Sequence, residues 1–221
     1  MRKELSVVLL SSGMDSAVCA SLAKRDYRLA FLHIQYGQRT AQKELECFYK
    51  LCEHFNPEKV FVAKASFLKE IGASSLTDES RPLPEGEEAG IPSTYVPFRN
   101  GVFLSIATAW AEAIGATRIF IGVNQIDFSG YPDCREAFIQ AFNQAINEGT
   151  KPETKITVEA PLLFLSKKEI VRLGVELKTP FELTWSCYQN VEVACGRCSS
   201  CKLRLKAFEE AGFKDPIPYQ P

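Results

Sequence analysis

The chain has only two histidines, His33 and His54, and almost no net charge: 26 Lys and Arg stand against 27 Asp and Glu, giving −1 at pH 7. Each scarcity excludes something. A Ser-His or Cys-His triad needs an imidazole beside its nucleophile, and neither histidine suits that part. His33 sits inside an apolar strand pattern and reads as a core residue, while His54 reads as the solvent-side end of a helix. The charge balance removes the broad cationic footprint that long RNA or DNA requires. The apolar run at residues 5–10 is far too short to span a bilayer, and no secretory n-region and h-region stand at the amino terminus. The expectation is a cytoplasmic protein with neither a nucleic-acid nor a membrane partner. No internal repeat or low-complexity segment is visible.

What is present fits one sizeable domain with a small appendage: 221 residues, 46% of them hydrophobic. Short apolar runs at 5–10, 29–35, 59–63, 118–122 and 156–159 read as strands. Helical patterns lie at 16–24, 40–54, 100–114 and 136–147. Such alternation predicts an α/β fold, a doubly wound, mostly parallel sheet with helices on both faces. The Ser166-Lys167-Lys168-Glu169 capping box starts a further helix to about 173. Residues 1–180 form the expected α/β domain, and 181–221 a cysteine-bearing segment packed on it. Residues 65–98 break the rhythm, being long, rich in Pro, Glu, Ser and Gly, and without a sustained period. A stretch of that kind is a lid or a disordered insertion, and a mobile lid is the reading favoured.

Ser11-Ser12-Gly13-Met14-Asp15-Ser16 follows directly on the first strand and enters the first helix. Free N–H groups and the positive helix end make such a junction a ready anion site, to which serine hydroxyls add donors. It lacks the Gly-Lys-Ser/Thr ending of a P-loop and the three glycines of a dinucleotide fingerprint. It resembles the pyrophosphate loop of the ATP pyrophosphatase families, usually written Ser-Gly-Gly-x-Asp-Ser, with Ser12 where a glycine is usual. The alternative is an ordinary strand-to-helix turn capped by Ser and Asp.

Eight cysteines are present, and half are crowded near the end, as Cys187, Cys195, Cys198 and Cys201. A reducing compartment disfavours disulfides, so the cluster points to metal. Two overlapping C-x2-C steps bring three thiolates together, and Cys187 closes a tetrahedron. Four thiolates saturate Zn²⁺ and leave no open position, which makes the site structural. An iron–sulfur cluster would use the same ligands. A helix over 202–210 leaves the knuckle, and its basic residues, Arg197, Lys202, Arg204 and Lys206, are mixed with Glu209 and Glu210.

Arg99 and Asn100 precede the third long helix, where Asn100 is either a helix N-cap or a ligand-facing residue. Asn124 and the run Asp127-Phe128-Ser129-Gly130-Tyr131-Pro132-Asp133-Cys134-Arg135 follow a strand, where open α/β sheets bind ligands. An Asp pairs with a guanine-like N1–H and amine, and an Arg forks onto a carboxylate or carbonyl. The bland reading is a turn rich in Gly, Pro, Asp and Ser.

These motifs together resemble the 7-cyano-7-deazaguanine synthase family of the ATP pyrophosphatase superfamily, which works in queuosine biosynthesis. The matching pieces span nearly the whole chain; the Ser129–Arg135 run combined with the cysteine tail is the specific part. The Gly37-Gln38-Arg39-Thr40 segment matches only partly. The resemblance implies an adenine nucleotide alpha hydrolase-like, Rossmann-like fold. It also implies a ligase that converts 7-carboxy-7-deazaguanine and ammonia to the nitrile through adenylated carboxylate and amide. ATP with Mg²⁺ would lie along Leu10, Ser11, Ser12, Gly13, Met14, Asp15, Ser16, Ala17, Val18, Cys19 and Ala20. Ser11, Asp15, Ser16 and Lys167 would act in catalysis. Arg99, Asn100, Asn124, Asp127, Tyr131, Asp133 and Arg135 would hold substrate. The family implies one structural zinc per chain and a homodimer. Two other readings are kept in view: a tRNA-thiolating or lysidine-type adenylating enzyme, and a zinc-knuckle binding protein that merely retains the nucleotide fold.

Overall fold

Five parallel strands form one sheet in the order β3-β2-β1-β4-β5, with β1 (Leu5–Leu9), β2 (Arg28–Gln35), β3 (Lys59–Lys64), β4 (Arg118–Phe120) and β5 (Thr157–Glu159). The structure is a computed structural model that describes residues 3–86, 88–125 and 130–221. Seven α-helices are described: α1 (Met14–Asp26), α2 (Ala41–Phe55), α3 (Phe67–Ile71), α4 (Arg99–Ile114), α5 (Glu136–Gly149), α6 (Lys167–Glu176) and α7 (Ser199–Ala211). None is long and apolar enough to cross a membrane.

Side chains alternate across each strand, so β1 divides its residues between two cores. Leu5, Val7 and Leu9 face the side covered by α4 and α5, with Leu104, Ala107, Ile139 and Ile146. Val8 and Leu10 face α1, α2, α6 and α7, meeting Val18, Phe48, Ile170 and Phe208. Both faces of β1 are therefore buried, which is why its sequence is a continuous apolar run rather than an alternating one. The expected doubly wound sheet is present.

Winding proceeds from β1 to β2 and β3 on one side, and through β4 to β5 on the other. The direction reverses between β1 and β4. At that point the loops after the two strands diverge and leave a crevice. Gly122 makes the approach possible: a Cβ there would stand 3.0 Å from the Asp15 carbonyl carbon and the Ser16 nitrogen. β4, expected over 118–122, ends at Phe120; the Ile121 N–H still donates to the Glu159 carbonyl at 3.0 Å, and at Gly122 the backbone meets the start of α1. The other expected elements are present to within a few residues at their ends, and the short α3 lies within the 65–98 stretch, where no helix was expected.

Candidate active site

The loop after β1 is braced from two directions. Ser12 has φ +70° and is fully buried. Its Oγ donates to the Glu44 carbonyl at 2.7 Å, and its own carbonyl accepts the Trp185 N–H at 2.8 Å. The left-handed backbone explains why glycine suits this position. Ser11 Oγ donates to Ser16 Oγ at 3.2 Å, and Ser16 Oγ donates to the Gly13 carbonyl at 2.9 Å. Asp15, in the first turn of α1, pairs with Lys167, which the Ser166–Glu169 capping box sets at the start of α6. The second carboxylate oxygen, Asp15 Oδ1, is buried with no hydrogen-bond partner. A buried orphan oxygen on a charged group is costly unless a ligand meets it.

Leu10, Ser11, Gly13, Met14, Asp15, Ser16 and Lys167 line a cleft of about 260 Å³ at the switch point. Ser12, braced within the loop, does not line it; nor do Ala17, Val18, Cys19 and Ala20, also expected along the nucleotide. The latter are fully buried against the sheet, because the interior of α1 turns them into the core.

Arg99 lines the same cleft. Its guanidinium lies over the Tyr36 ring at 5.3 Å and the Phe103 ring at 5.8 Å, and Nη1 donates to Tyr36 Oη at 3.2 Å. Arg99 Nε is buried without a partner. Burial pushes the Tyr36 phenol up to about 12, so it remains neutral.

Asn100 also lines the cleft but is not an N-cap: α4 begins at Arg99, after Phe98 in the left-handed region. The Asn100 backbone N–H donates to Asp133 Oδ2 at 2.9 Å, and Nδ2 donates to the Asp133 carbonyl and to Cys134 Sγ, both at 3.3 Å. Asp133 is therefore a buried anchor for the start of α4 and does not line the cleft; burial raises its pKa. Arg135 is exposed at the N-cap of α5, also outside the cleft. Tyr131 lines it, its hydroxyl 2.6 Å from Thr94 Oγ1, and Asn124 lines it with Nδ2 donating to the Leu162 carbonyl at 3.3 Å. Asp127 lies outside the described residues. Burial, with Asp133 beside it, pushes the Cys134 thiol up to about 12, so it is no ready nucleophile.

Cleft residues that sequence reasoning missed are Tyr36, Glu44, Phe103, Trp185, Tyr188 and Arg204. Arg204, one of the basic residues beside the knuckle, is 1% exposed. It pairs with Asp215 at 2.7 and 2.9 Å and donates to Thr184 Oγ1 at 2.7 Å. Arg39 reaches away from the cleft to the carbonyls of Ser75 and Asp78, at 2.9 and 2.7 Å. That clamp fastens buried residues 74–77, whereas most of 79–91 is exposed. His33 is buried, as expected, with Nδ1 3.0 Å from the Leu10 carbonyl.

Cys187, Cys195, Cys198 and Cys201 are buried, and their sulfurs all lie within 4.8 Å of one another. Backbone N–H groups of Asn190 and Cys195 donate to Cys187 Sγ at 3.2 and 3.4 Å, and that of Cys198 to Cys195 Sγ at 3.3 Å. N–H donors aimed at sulfur stabilise thiolate, the form that binds metal. The knuckle adjoins the cleft, since Ser186 and Tyr188 flank Cys187 and line it.

A family model described as queuosine biosynthesis protein QueC matches residues 5–212. A 7-cyano-7-deazaguanine synthase from a Nitratiruptor species is 54% identical over 217 residues, spanning 97% of this chain and 98% of that protein. One from Chlorobium chlorochromatii is 53% identical over 218 residues, spanning 97% and 96%. Among solved structures, NMN synthetase from Francisella tularensis matches with a TM-score of 0.51 at 15% identity, over 96% of this chain and 79% of that one, a likeness of fold.

Proposed function

Because the chain belongs to the QueC family of queuosine biosynthesis proteins, we propose that it is an ATP-dependent ligase. It converts 7-carboxy-7-deazaguanine and ammonia to 7-cyano-7-deazaguanine. One observation carries the reading: two residues that line a single cleft, Asp15 and Arg99, each keep a buried polar atom, Oδ1 and Nε, without a hydrogen-bond partner. The first suits a cation that accompanies phosphates, and the second suits an anionic or carbonyl oxygen of a planar acid.

A carboxylate is a poor electrophile, and transfer of AMP to it creates a leaving group. Ser11 and Ser16 hydroxyls and the N–H groups at the start of α1 bind the departing pyrophosphate, and Lys167 supplies positive charge beside it. Asp15 would hold a Mg²⁺ ion, which would supply charge neutralisation for the phosphates. Arg99 orients the acid, while Tyr36 and Phe103 give its ring a flat apolar wall. Asn100, Asn124 and Tyr131 border the substrate, and Asp127 reads the guanine-like edge. Asp133 and Arg135 hold the segment that bears these groups. Ammonia converts the acyl adenylate to the amide; a second adenylation, on the amide oxygen, permits loss of that oxygen as AMP and leaves the nitrile. Residues 65–98 supply a lid over the cleft of the 1–180 domain. The 181–221 segment carries one structural Zn²⁺ on its four cysteines, and the enzyme works as a cytoplasmic homodimer on small molecules. Incubation of the purified chain with acid, ATP, Mg²⁺ and ammonium should yield nitrile with AMP and pyrophosphate. Absence of all three products overturns the reading.

A further inference from the structure

Ammonia is mostly ammonium at neutral pH, so a ligase that uses it needs a group to take a proton before the nitrogen lone pair can attack. The described lining of the cleft contains two carboxylates, Asp15 and Glu44. Asp15 is paired with Lys167 at the phosphate end. Glu44, in the first turn of α2, is held differently: Oε1 accepts from Thr40 Oγ1 at 2.9 Å and Oε2 from Gln38 Nε2 at 2.8 Å. Gln38 is itself fixed by accepting the Tyr36 backbone N–H at 2.9 Å. The charged or titratable groups that face Glu44 are Arg99 from α4, Tyr36 from the end of β2 and Cys47 from its own helix. No described cation forms an ion pair with it. Desolvation raises its pKa, opposed by the two hydrogen bonds and by Arg99.

We propose that Glu44 is the proton acceptor for the nitrogen nucleophile, binding ammonium in the cleft beside the acid held by Arg99. The inference rests on the ligase reading above. Ammonium gives one proton to the Glu44 carboxylate and becomes ammonia. The nitrogen lone pair forms the C–N bond, the bond from the acyl carbon to the AMP oxygen breaks, and its electron pair leaves with AMP. The second proton lost by nitrogen goes to the departing phosphate, and Glu44 returns its own proton to water. A carboxylate held by neutral donors and raised in pKa is a better base than a salt-bridged one.

The test separates the two half-reactions in the full-length enzyme. Acid-dependent ATP–pyrophosphate exchange needs no ammonia, whereas amide formation does. Glu44→Gln should keep exchange within about 3-fold of wild type and lose roughly 10²-fold or more of amide formation at neutral pH, the scale of a general base. The loss should shrink as pH rises and free ammonia accumulates. Thr40→Val removes a bond to the charged form, so its acid limb for amide formation should move to higher pH with exchange unchanged. Equal loss of exchange and amide formation in Glu44→Gln would make the residue structural. An unchanged amide rate with an unchanged pH profile would overturn the proposal. Wild-type enzyme without acid-dependent exchange would instead bring down the ligase reading itself.

Discussion

Lys167 at the start of α6 and Asp15 in the first turn of α1 form an ion pair across 152 positions of sequence. The contact ties the first turn of α1 to a helix on the same sheet face, while Asp15 Oδ1 is buried without a hydrogen-bond partner. Asp15→Ala and Ser16→Ala should fold normally and lose about 10²-fold or more in turnover, as on removal of one transition-state donor. Lys167→Met should lose a comparable amount. Near-normal ATP-dependent turnover in these variants would remove the loop from the chemistry.

Ser12 tests the loop's backbone. Its φ of +70° costs a non-glycine residue about 1 kcal/mol or more, and its hydrogen bond to the Glu44 carbonyl returns about 1 kcal/mol. Ser12→Gly loses both terms and should match wild type within about 1 kcal/mol. Ser12→Ala keeps the backbone cost and loses the bond, so it should be the less stable of the two. Urea denaturation ranks them, and Ser12→Ala more stable than Ser12→Gly would refute the account.

A metal held by the four cysteines would couple its binding to local folding. Four thiolates within 4.8 Å of one another suit Zn–S bonds of about 2.3 Å. Metal analysis should find about one zinc per chain, and Cys195→Ser or Cys198→Ser should lower metal content and thermal stability together. Iron with visible charge-transfer absorbance would assign the site to a cluster instead.

The elements were legible because their determinants are local: β1 and β2 are continuous apolar runs, α6 carries its capping box, and the cysteine spacing specifies a knuckle. The loop and Arg99 were legible for the same reason. Side-chain direction was less so, because tertiary packing sets it. Ala17 to Ala20 follow the loop in sequence but turn into the core with the helix. Asp133 and Arg135 sit beside cleft residues, yet one anchors α4 and the other is exposed. Glu44 belongs to an amphipathic helix whose polar face looks solvated in sequence, whereas Ser12 of the loop after β1 bonds its backbone and Gln38 and Thr40 bond its carboxylate.

Arg204 illustrates the same limit and yields a stability prediction. Its guanidinium meets Asp215, Thr184 and the Phe181 carbonyl while 1% exposed, and Tyr219 Oη donates to Asp215 Oδ2 at 2.6 Å. Removing one partner leaves the other charge buried and uncompensated, a loss of about 3–5 kcal/mol. Arg204→Met should therefore lower the melting midpoint by roughly 10 °C, with loosening of the last residues seen as faster hydrogen exchange. An unchanged midpoint would mean that the tail is not held by this pair.

On the proposed reading, substrate choice turns on Arg99. Two aromatic rings hold its guanidinium in place, one of its nitrogens is occupied by Tyr36, and Nε has no partner. A buried cation with an open donor calls for an oxygen that carries negative charge, and the acid's carboxylate supplies one. On the proposed reading ATP binds at Ser11, Asp15 and Ser16 instead. Arg99→Gln should therefore weaken acid binding by about 1.5–3 kcal/mol, the net value of a charge-assisted hydrogen bond, which is roughly 10- to 100-fold in Kd. Binding of a nonhydrolysable ATP analogue should stay within about 3-fold, a change worth under 1 kcal/mol. Arg99→Lys should recover little, because the ammonium lacks the planar fork and the stacking. Calorimetric titration with each ligand distinguishes the outcomes, and unchanged acid affinity in Arg99→Gln would put the acid's carboxylate elsewhere in the cleft.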